Sequence, residues 1–472
     1  MKLKSLVLWS LGGIALSVSA VVTATPSSEP VRARRSALVV SEVEVADEVE
    51  PTGALAVRTR VGHSVLDVRG DRRTFLLLDV TGRATEGEQA EVATNTALVI
   101  DTSGSMAGPR IQQALSAARG WVQRAQADDT ISVTTFSDRA LELVPATSVA
   151  DGRGRVLDAL QRVATAGSTC ISCGLDTAAR QLNEADDRVR RVVLLSDGRA
   201  NMGMMGATAM RTFAHTLRER GVSISTVGVG TSFDSETMAT LAFQSNGMHH
   251  FVASPSDLPK VFEREAKGLA ATTADGVTAE LSLAEGVELV RVLDRSGQRT
   301  ADGMRIVFGS VAAGEQRTLM VEVKAPPSLG EQELASVALS FRDVAGDEAQ
   351  QLKRRFSCRL AEEASTRLDP LVEMRAQREV TAEALLRATE LLQAGQRVEA
   401  RVALIERRRS LERAMARLAE LDGQDAIDSR LDLTAQLDEI QRMDTEVERA
   451  TNRERARAAT RRMRAHAMPM ML

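Results

Sequence analysis

Between Thr96 and Leu269 short apolar runs alternate with amphipathic stretches of helical spacing, and this alternation restricts the fold more than any other feature of the chain. Runs at 97–101, 130–136, 140–143, 191–196, 223–229 and 249–252 have the length and β-branched content of strands. Between them, segments 156–163, 174–182, 207–218, 235–243 and 258–269 read as helices. Another helix follows Pro109, which suits a first helical turn, with Ile111, Leu115, Ala118, Trp121 and Val122 recurring at helical intervals. Alternating β and α units predict a doubly wound, mainly parallel α/β sheet with helices on both faces. Such a sheet binds ligands at the carboxyl ends of its strands.

The flanks have a different grammar. Alternating runs at 54–61, 65–68 and 74–80, within a strand-rich segment 51–92, precede the α/β region. Further runs at 277–283, 287–293, 304–307, 319–323, 334–341 and 353–360 follow it, within segment 275–360. The simplest architecture joins the two sets in one β-sandwich that carries the α/β region as an insertion, with two separate sheets as the alternative. Residues 361–472 are rich in Ala, Leu, Glu and Arg, and Gly395 and the Asp422-Gly423 pair divide them. Leu404, Leu411, Met415 and Leu418 show coiled-coil-like spacing, as do Leu433, Leu437, Ile440, Met443 and Val447, which predicts a helical hairpin or bundle able to support an oligomer. The Arg-rich end, Arg453 to Arg464, reads as a solvated tail or as a contact for an anionic partner or membrane surface.

Lys2 and Lys4, an apolar run at 6–22, and the small residues Ala20 and Ala24 give residues 1–24 the pattern of a signal peptide or N-terminal anchor. Residues 25–50 read as a linker. The expected location is exported: periplasmic, or membrane-anchored facing the periplasm. With 60 Lys and Arg against 64 Asp and Glu, the chain lacks the basic field that phosphate neutralisation requires, which argues against nucleic acid as a partner.

Residues 95–270 contain the constellation that carries chemistry. The strand ending at Asp101 runs into Thr102-Ser103-Gly104-Ser105-Met106, so one carboxylate and two hydroxyls alternate along a turn that Gly104 allows to bend. Thr169 adds a hydroxyl on a loop entering another helix, and Ser196-Asp197-Gly198 ends a later strand with a second carboxylate. Oxygen donors of this kind select a hard cation, Mg²⁺ with Mn²⁺ or Ca²⁺ as alternatives, whereas zinc usually recruits His or Cys. No Ser-His-Asp order, phosphate loop or H-E-x-x-H string is present, so enzymatic turnover has no support in the sequence.

The ordered combination resembles a von Willebrand factor A domain with a metal-ion-dependent adhesion site. The family's D-x-S-x-S falls on Asp101, Ser103 and Ser105, its threonine on Thr169 and its later aspartate on Asp197. Residues 129–138 and 226–230 resemble two further strands of the family. The resemblance implies that hydroxyls touch the metal directly, that aspartates bind it directly or through water, and that an open coordination position accepts a Glu or Asp from a protein partner. Metal-dependent adhesion or scaffolding is therefore the expected function. A metal-dependent hydrolase, or a structural protein whose metal only stabilises the fold, are the alternatives.

One departure from the family pattern is the pair Cys170 and Cys173, directly after Thr169. In an exported protein such a pair is expected to close a local disulfide that rigidifies the loop, with redox control of the metal site and pairing to Cys358 as the other readings.

Overall fold

The computed structural model describes residues 39–42, 50–84, 92–182, 188–198, 200–230, 233–252, 254–293, 297–362 and 367–470. The expected export segment lies outside them, as does most of the expected linker. The linker residues Val39–Glu42, however, form a strand, β1. Among the described residues no helix is long and apolar enough to cross a membrane.

Before the α/β region come β1, β2 (Glu50–Thr52), β3 (Leu55–Val61), β4 (Val65–Asp67) and β5 (Arg73–Gly82). The α/β region contains β6 (Thr94–Asp101), α1 (Pro109–Arg124), β7 (Thr130–Phe136), β8 (Ala140–Ser148), α2 (Val149–Leu160) and α3 (Ile171–Ala179). It continues through β9 (Val189–Ser196), α4 (Ala207–Glu219), β10 (Val222–Val229), α5 (Ser235–Gln244), β11 (His249–Val252) and α6 (Leu258–Ala270). Its sheet has the order β11-β10-β9-β6-β7-β8, parallel except for β8, which turns back antiparallel on β7. Every residue of β6 and of β10 is buried, as a parallel sheet covered on both faces requires. One face packs Ile111 and Trp121 of α1, Val156 of α2 and Phe262 of α6. The other packs Leu175 of α3, Met210 and Ala214 of α4, and Met238 and Leu241 of α5.

The chain leaves β6 toward β7 on one side and later enters β9 on the other, so the strand order reverses between β6 and β9. That reversal opens a crevice at their carboxyl ends, where loops diverge to opposite faces. Asp101 and Ser196 stand at the ends of β6 and β9, where this reversal falls.

Among the described residues seven strands follow: β12 (Thr272–Leu283), β13 (Glu288–Val292), β14 (Gln298–Arg299), β15 (Gly303–Ala312), β16 (Gln316–Lys324), β17 (Gly330–Asp343) and β18 (Glu348–Ala361). One sheet runs β13-β16-β5-β3-β2, and β5 pairs with β16 from Arg73 against Lys324 to Thr81 against Gln316, so strands from both sides of the α/β region share it. The facing sheet runs β1-β18-β17-β12-β15-β14, with β4 also on β18. Leu55, Leu76, Leu78, Val321, Ile306, Phe308, Val337 and Phe356 close one core between the two sheets. The α/β region is thus inserted in a β-sandwich. The sandwich meets it through the turn before β11, where Arg317 donates to Asn246 O at 3.1 Å and Asn246 Nδ2 donates to Val307 O at 2.7 Å.

Among the described residues four helices follow: α7 (Pro370–Gln393), α8 (Arg397–Leu418), α9 (Gln424–Arg449) and α10 (Arg453–Met470). Val372 and Ala376 of α7 cover Leu77, Met320 and Leu293 on the outer face of the sandwich. The Arg-rich end keeps Arg453, Arg455, Arg457 and Arg462 exposed to solvent, but it is a docked helix and not a free tail. Ala459, Met463 and Ala467, four residues apart, bury one stripe of α10 in the helical core, while Arg464 pairs with Glu236 of α5 at 2.9 Å.

Candidate metal centre

The turn after β6 is built to present oxygens. Asp101 is buried, and its Oδ1 accepts the backbone N–H of Ser103 at 2.8 Å while Ser196 Oγ donates to its Oδ2. A single 3₁₀ turn, Gly104–Met106, then drops the fully buried Met106 into the core, and Gly108 at φ 82° redirects the chain so that Pro109 can begin α1. The anchor at Met106 fixes the hydroxyls on either side of Gly104.

Those hydroxyls converge with Asp197. Ser103 Oγ and Ser105 Oγ lie 3.1 Å apart, and Ser105 Oγ donates to Asp197 Oδ1 at 2.7 Å. Thr169 reaches the same place from the loop before α3: a Cβ built on Gly198 would lie 3.2 Å from Thr169 Oγ1 and 3.7 Å from Ser105 Oγ. All five residues singled out in the sequence therefore meet at the carboxyl edge between β6 and β9.

The arrangement fits a small hard cation. In an octahedral shell with bonds of about 2.0–2.1 Å, neighbouring ligand oxygens are roughly 2.9 Å apart, close to the separations found here. Burial raises the Asp101 carboxyl above its ordinary range and the negative charge of Asp197 adds to this, against the hydrogen bonds from Ser103 and Ser196 that lower it. A cation at the hydroxyls would offset that repulsion. Among the described residues no three His, Cys, Asp or Glu cluster to form a softer or more acidic alternative site.

Three partners were not foreseen from the sequence. Arg110, in the first turn of α1, bridges Ser105 O and Asp197 Oδ2, both at 2.8 Å. Ser196 holds Asp101 and also accepts the N–H of Gly198 at 3.2 Å. Asn201 exchanges a reciprocal pair of bonds with Thr169: Thr169 N–H donates to Asn201 Oδ1 at 2.8 Å, and Asn201 N–H to Thr169 O at 3.1 Å. Sequence offers a weak signal only for Ser196, which immediately precedes Asp197 at the strand end.

Cys170 and Cys173 form a disulfide, and Cys358 is a buried free thiol whose pKa burial pushes up to about 11. The bridge lies at the start of α3, which begins at Ile171, three residues earlier than helical spacing indicated. It locks Cys170, whose N–H donates to Ser137 O at 2.7 Å, directly beside Thr169. Replacing both cysteines with Ser is expected to lower stability by about 2 kcal/mol, the chain-entropy value for so short a loop. Denaturant unfolding measures this, and unchanged stability would show that the bridge constrains nothing.

Comparison with known proteins agrees with the geometry. Residues 95–264 match the von Willebrand factor type A domain family. Uncharacterized protein YfbK of Escherichia coli is 27% identical over 215 residues, which cover 45% of this chain and 37% of that protein. Uncharacterized protein sll0103 of Synechocystis is 23% identical over 320 residues, covering 64% of this chain and 75% of it. A solved von Willebrand factor type A structure from Catenulispora acidiphila superposes with a TM-score of 0.66 at 17% identity, covering 84% of this chain and 89% of that one. This structural likeness concerns the fold and extends well beyond the inserted domain.

Proposed function

We propose, from the premise that residues 95–264 are a von Willebrand factor type A domain, that this chain binds a protein partner in the cell envelope by capturing one of its acidic residues at a divalent cation. Domains of this type generally mediate protein–protein interaction. The observation that carries the reading is the convergence of Asp101, Ser103, Ser105, Thr169 and Asp197 at the point where the strand order reverses.

In this reading Ser103, Ser105 and Thr169 hold the ion through their hydroxyl oxygens, and Asp101 and Asp197 balance its charge directly or through water. Magnesium fits best, with Mn²⁺ or Ca²⁺ as substitutes. When bound, the cation supplies a Lewis-acidic position that a Glu or Asp side chain completes. Arg110, paired with Asp197, sets a guanidinium beside the ion, where it supplies a second donor for an arriving carboxylate. Binding rather than turnover is the proposed outcome, because the residues supply ligands and charge but no assigned general base.

Gly198 leaves room for the ion, so Gly198→Ala is expected to weaken Mg²⁺ binding roughly tenfold with the fold retained. Isothermal titration measures this, and an unchanged affinity would place the ion elsewhere. The function itself is tested by magnesium-dependent capture from envelope extracts, with wild type, Asp101→Ala and Thr169→Ala compared and a chelator as control. Partner recovery is expected from wild type alone. Equal recovery from all three proteins would leave the metal with a purely structural role.

A further inference from the structure

The loop that follows the second carboxylate carries Met202, Met204 and Met205, which are 41%, 40% and 57% exposed. These three large apolar side chains, exposed within four residues, belong to neither core cluster of the inserted domain. The backbone beneath them, in contrast, is firmly held. Asn201, next to Met202, is tied to Thr169 in both directions, and Met204 N–H donates to Ser172 Oγ at 2.8 Å. Gly203, at φ 73°, packs so closely on the disulfide that a Cβ there would lie 2.5 Å from Cys170 Sγ. The loop is thus fastened to Thr169 and to the Cys170–Cys173 bridge while its methionine side chains remain exposed.

Across the site the rim is also exposed and uncharged, at Gly104, Ala107, Gly108 and Pro109. A cationic centre at this edge is therefore bordered on one side by these small uncharged residues, next to the exposed carboxylate of Asp138 at Gly167, and on the other by unbranched, polarizable side chains that adapt to the shape of what they touch. That combination matches a ligand with a carboxylate at its centre and apolar groups beside it. It does not match a uniformly acidic segment, whose further charges would be desolvated against methionine.

We infer that Met202, Met204 and Met205 form the second half of the binding surface, and that the partner presents an Asp or Glu flanked by large apolar side chains that land on them. This rests on the proposed metal-dependent capture of a carboxylate, and it specifies the partner's chemistry beyond that single group. Continuity supports it: the residue that pins the loop, Asn201, is bonded to Thr169 itself, so the methionines are carried on a segment tied directly to the proposed ion site.

The test is a selection from a displayed random-peptide library on the immobilised full chain in magnesium, with elution by chelator. It compares wild type with the triple variant Met202→Ser, Met204→Ser, Met205→Ser, after titration has shown that the variant binds Mg²⁺ as wild type does. Wild type is expected to select peptides with one acidic residue next to Leu, Ile, Phe or Met. The variant is expected to bind those peptides roughly ten- to a hundredfold more weakly, the loss that follows from removing a partly buried apolar contact. Equal affinity for both proteins, or acidic peptides without apolar neighbours, would overturn this inference and leave metal-dependent capture intact. An absence of any magnesium-dependent peptide would overturn both. Sedimentation of wild type and variant provides the remaining check: self-association of wild type that the triple substitution abolishes would make the occupant a second copy of the chain and overturn the inference.

Discussion

Replacing Glu265 with Leu is expected to destabilise the protein by about 3–5 kcal/mol, the range for removing one member of a buried ion pair. Glu265 of α6 accepts from Arg191 at 2.7 Å and pairs with His250 at 2.9 Å, and Ser225 Oγ also donates to it. Arg191 lies in β9 and Ser225 in β10, so this cluster fastens the last helix of the inserted domain to its sheet. Without the carboxylate, a buried guanidinium keeps its desolvation penalty and loses its counter-charge. Chemical unfolding of Glu265→Leu measures the loss. The double variant Glu265→Leu/Arg191→Met is expected to recover much of it, because the stranded charge is then gone. A double variant no more stable than the single one would show that the penalty lies in packing.

The same group gives stability a dependence on pH. Burial pushes the Glu265 carboxyl up, but the hydrogen bond from His250 and the charges of Arg191 and His250 outweigh it and hold the group at about 2. A depressed carboxyl stabilises the fold fully above its unfolded value of 4.5, and this contribution is lost as pH falls from there through about 2. Wild type is therefore expected to lose stability in that window more steeply than Glu265→Leu. Parallel curves for the two proteins would contradict the assignment.

The second large effect concerns the metal. Magnesium at about a hundred times its dissociation constant is expected to stabilise wild type by about 2.7 kcal/mol, as any ligand of the folded state does. Asp101→Asn should remove that gain and weaken Mg²⁺ binding by more than about a hundredfold, beyond the usual effect of changing a residue that only supports a ligand. Because the unliganded site already holds two buried carboxylates, the substitution is not expected to lower stability in chelator. Thermal unfolding with magnesium and with chelator separates the two effects. A Tm that rises equally in both proteins would detach the gain from Asp101.

How much of this was legible depended on whether a residue's role was local. Asp101, Ser103 and Ser105 lie in one turn after an apolar strand, and Asp197 ends another such strand, so spacing alone puts them at a carboxyl edge. Arg110 could not be found that way, because its partner Asp197 is 87 positions distant and no periodicity links them. Asn201 is hidden for the same reason, sitting 32 positions from the threonine it holds. The docking of the Arg-rich end was missed for another reason. Its charge masked the stripe Ala459, Met463 and Ala467, whose spacing of four was readable as one helix face. The sandwich was legible as strands, but whether β5 pairs with β16 is a choice that hydrophobic pattern leaves open until the two sheets close on one core.

The central claim is that one hard cation is held where these five residues meet, and anomalous scattering from crystals of the protein grown with Mn²⁺ tests it most directly. A single strong peak is expected within roughly 2.0–2.3 Å of Ser103 Oγ, Ser105 Oγ and Thr169 Oγ1, with Asp101 and Asp197 close by. A peak elsewhere, or none at this edge under saturating Mn²⁺, would contradict it.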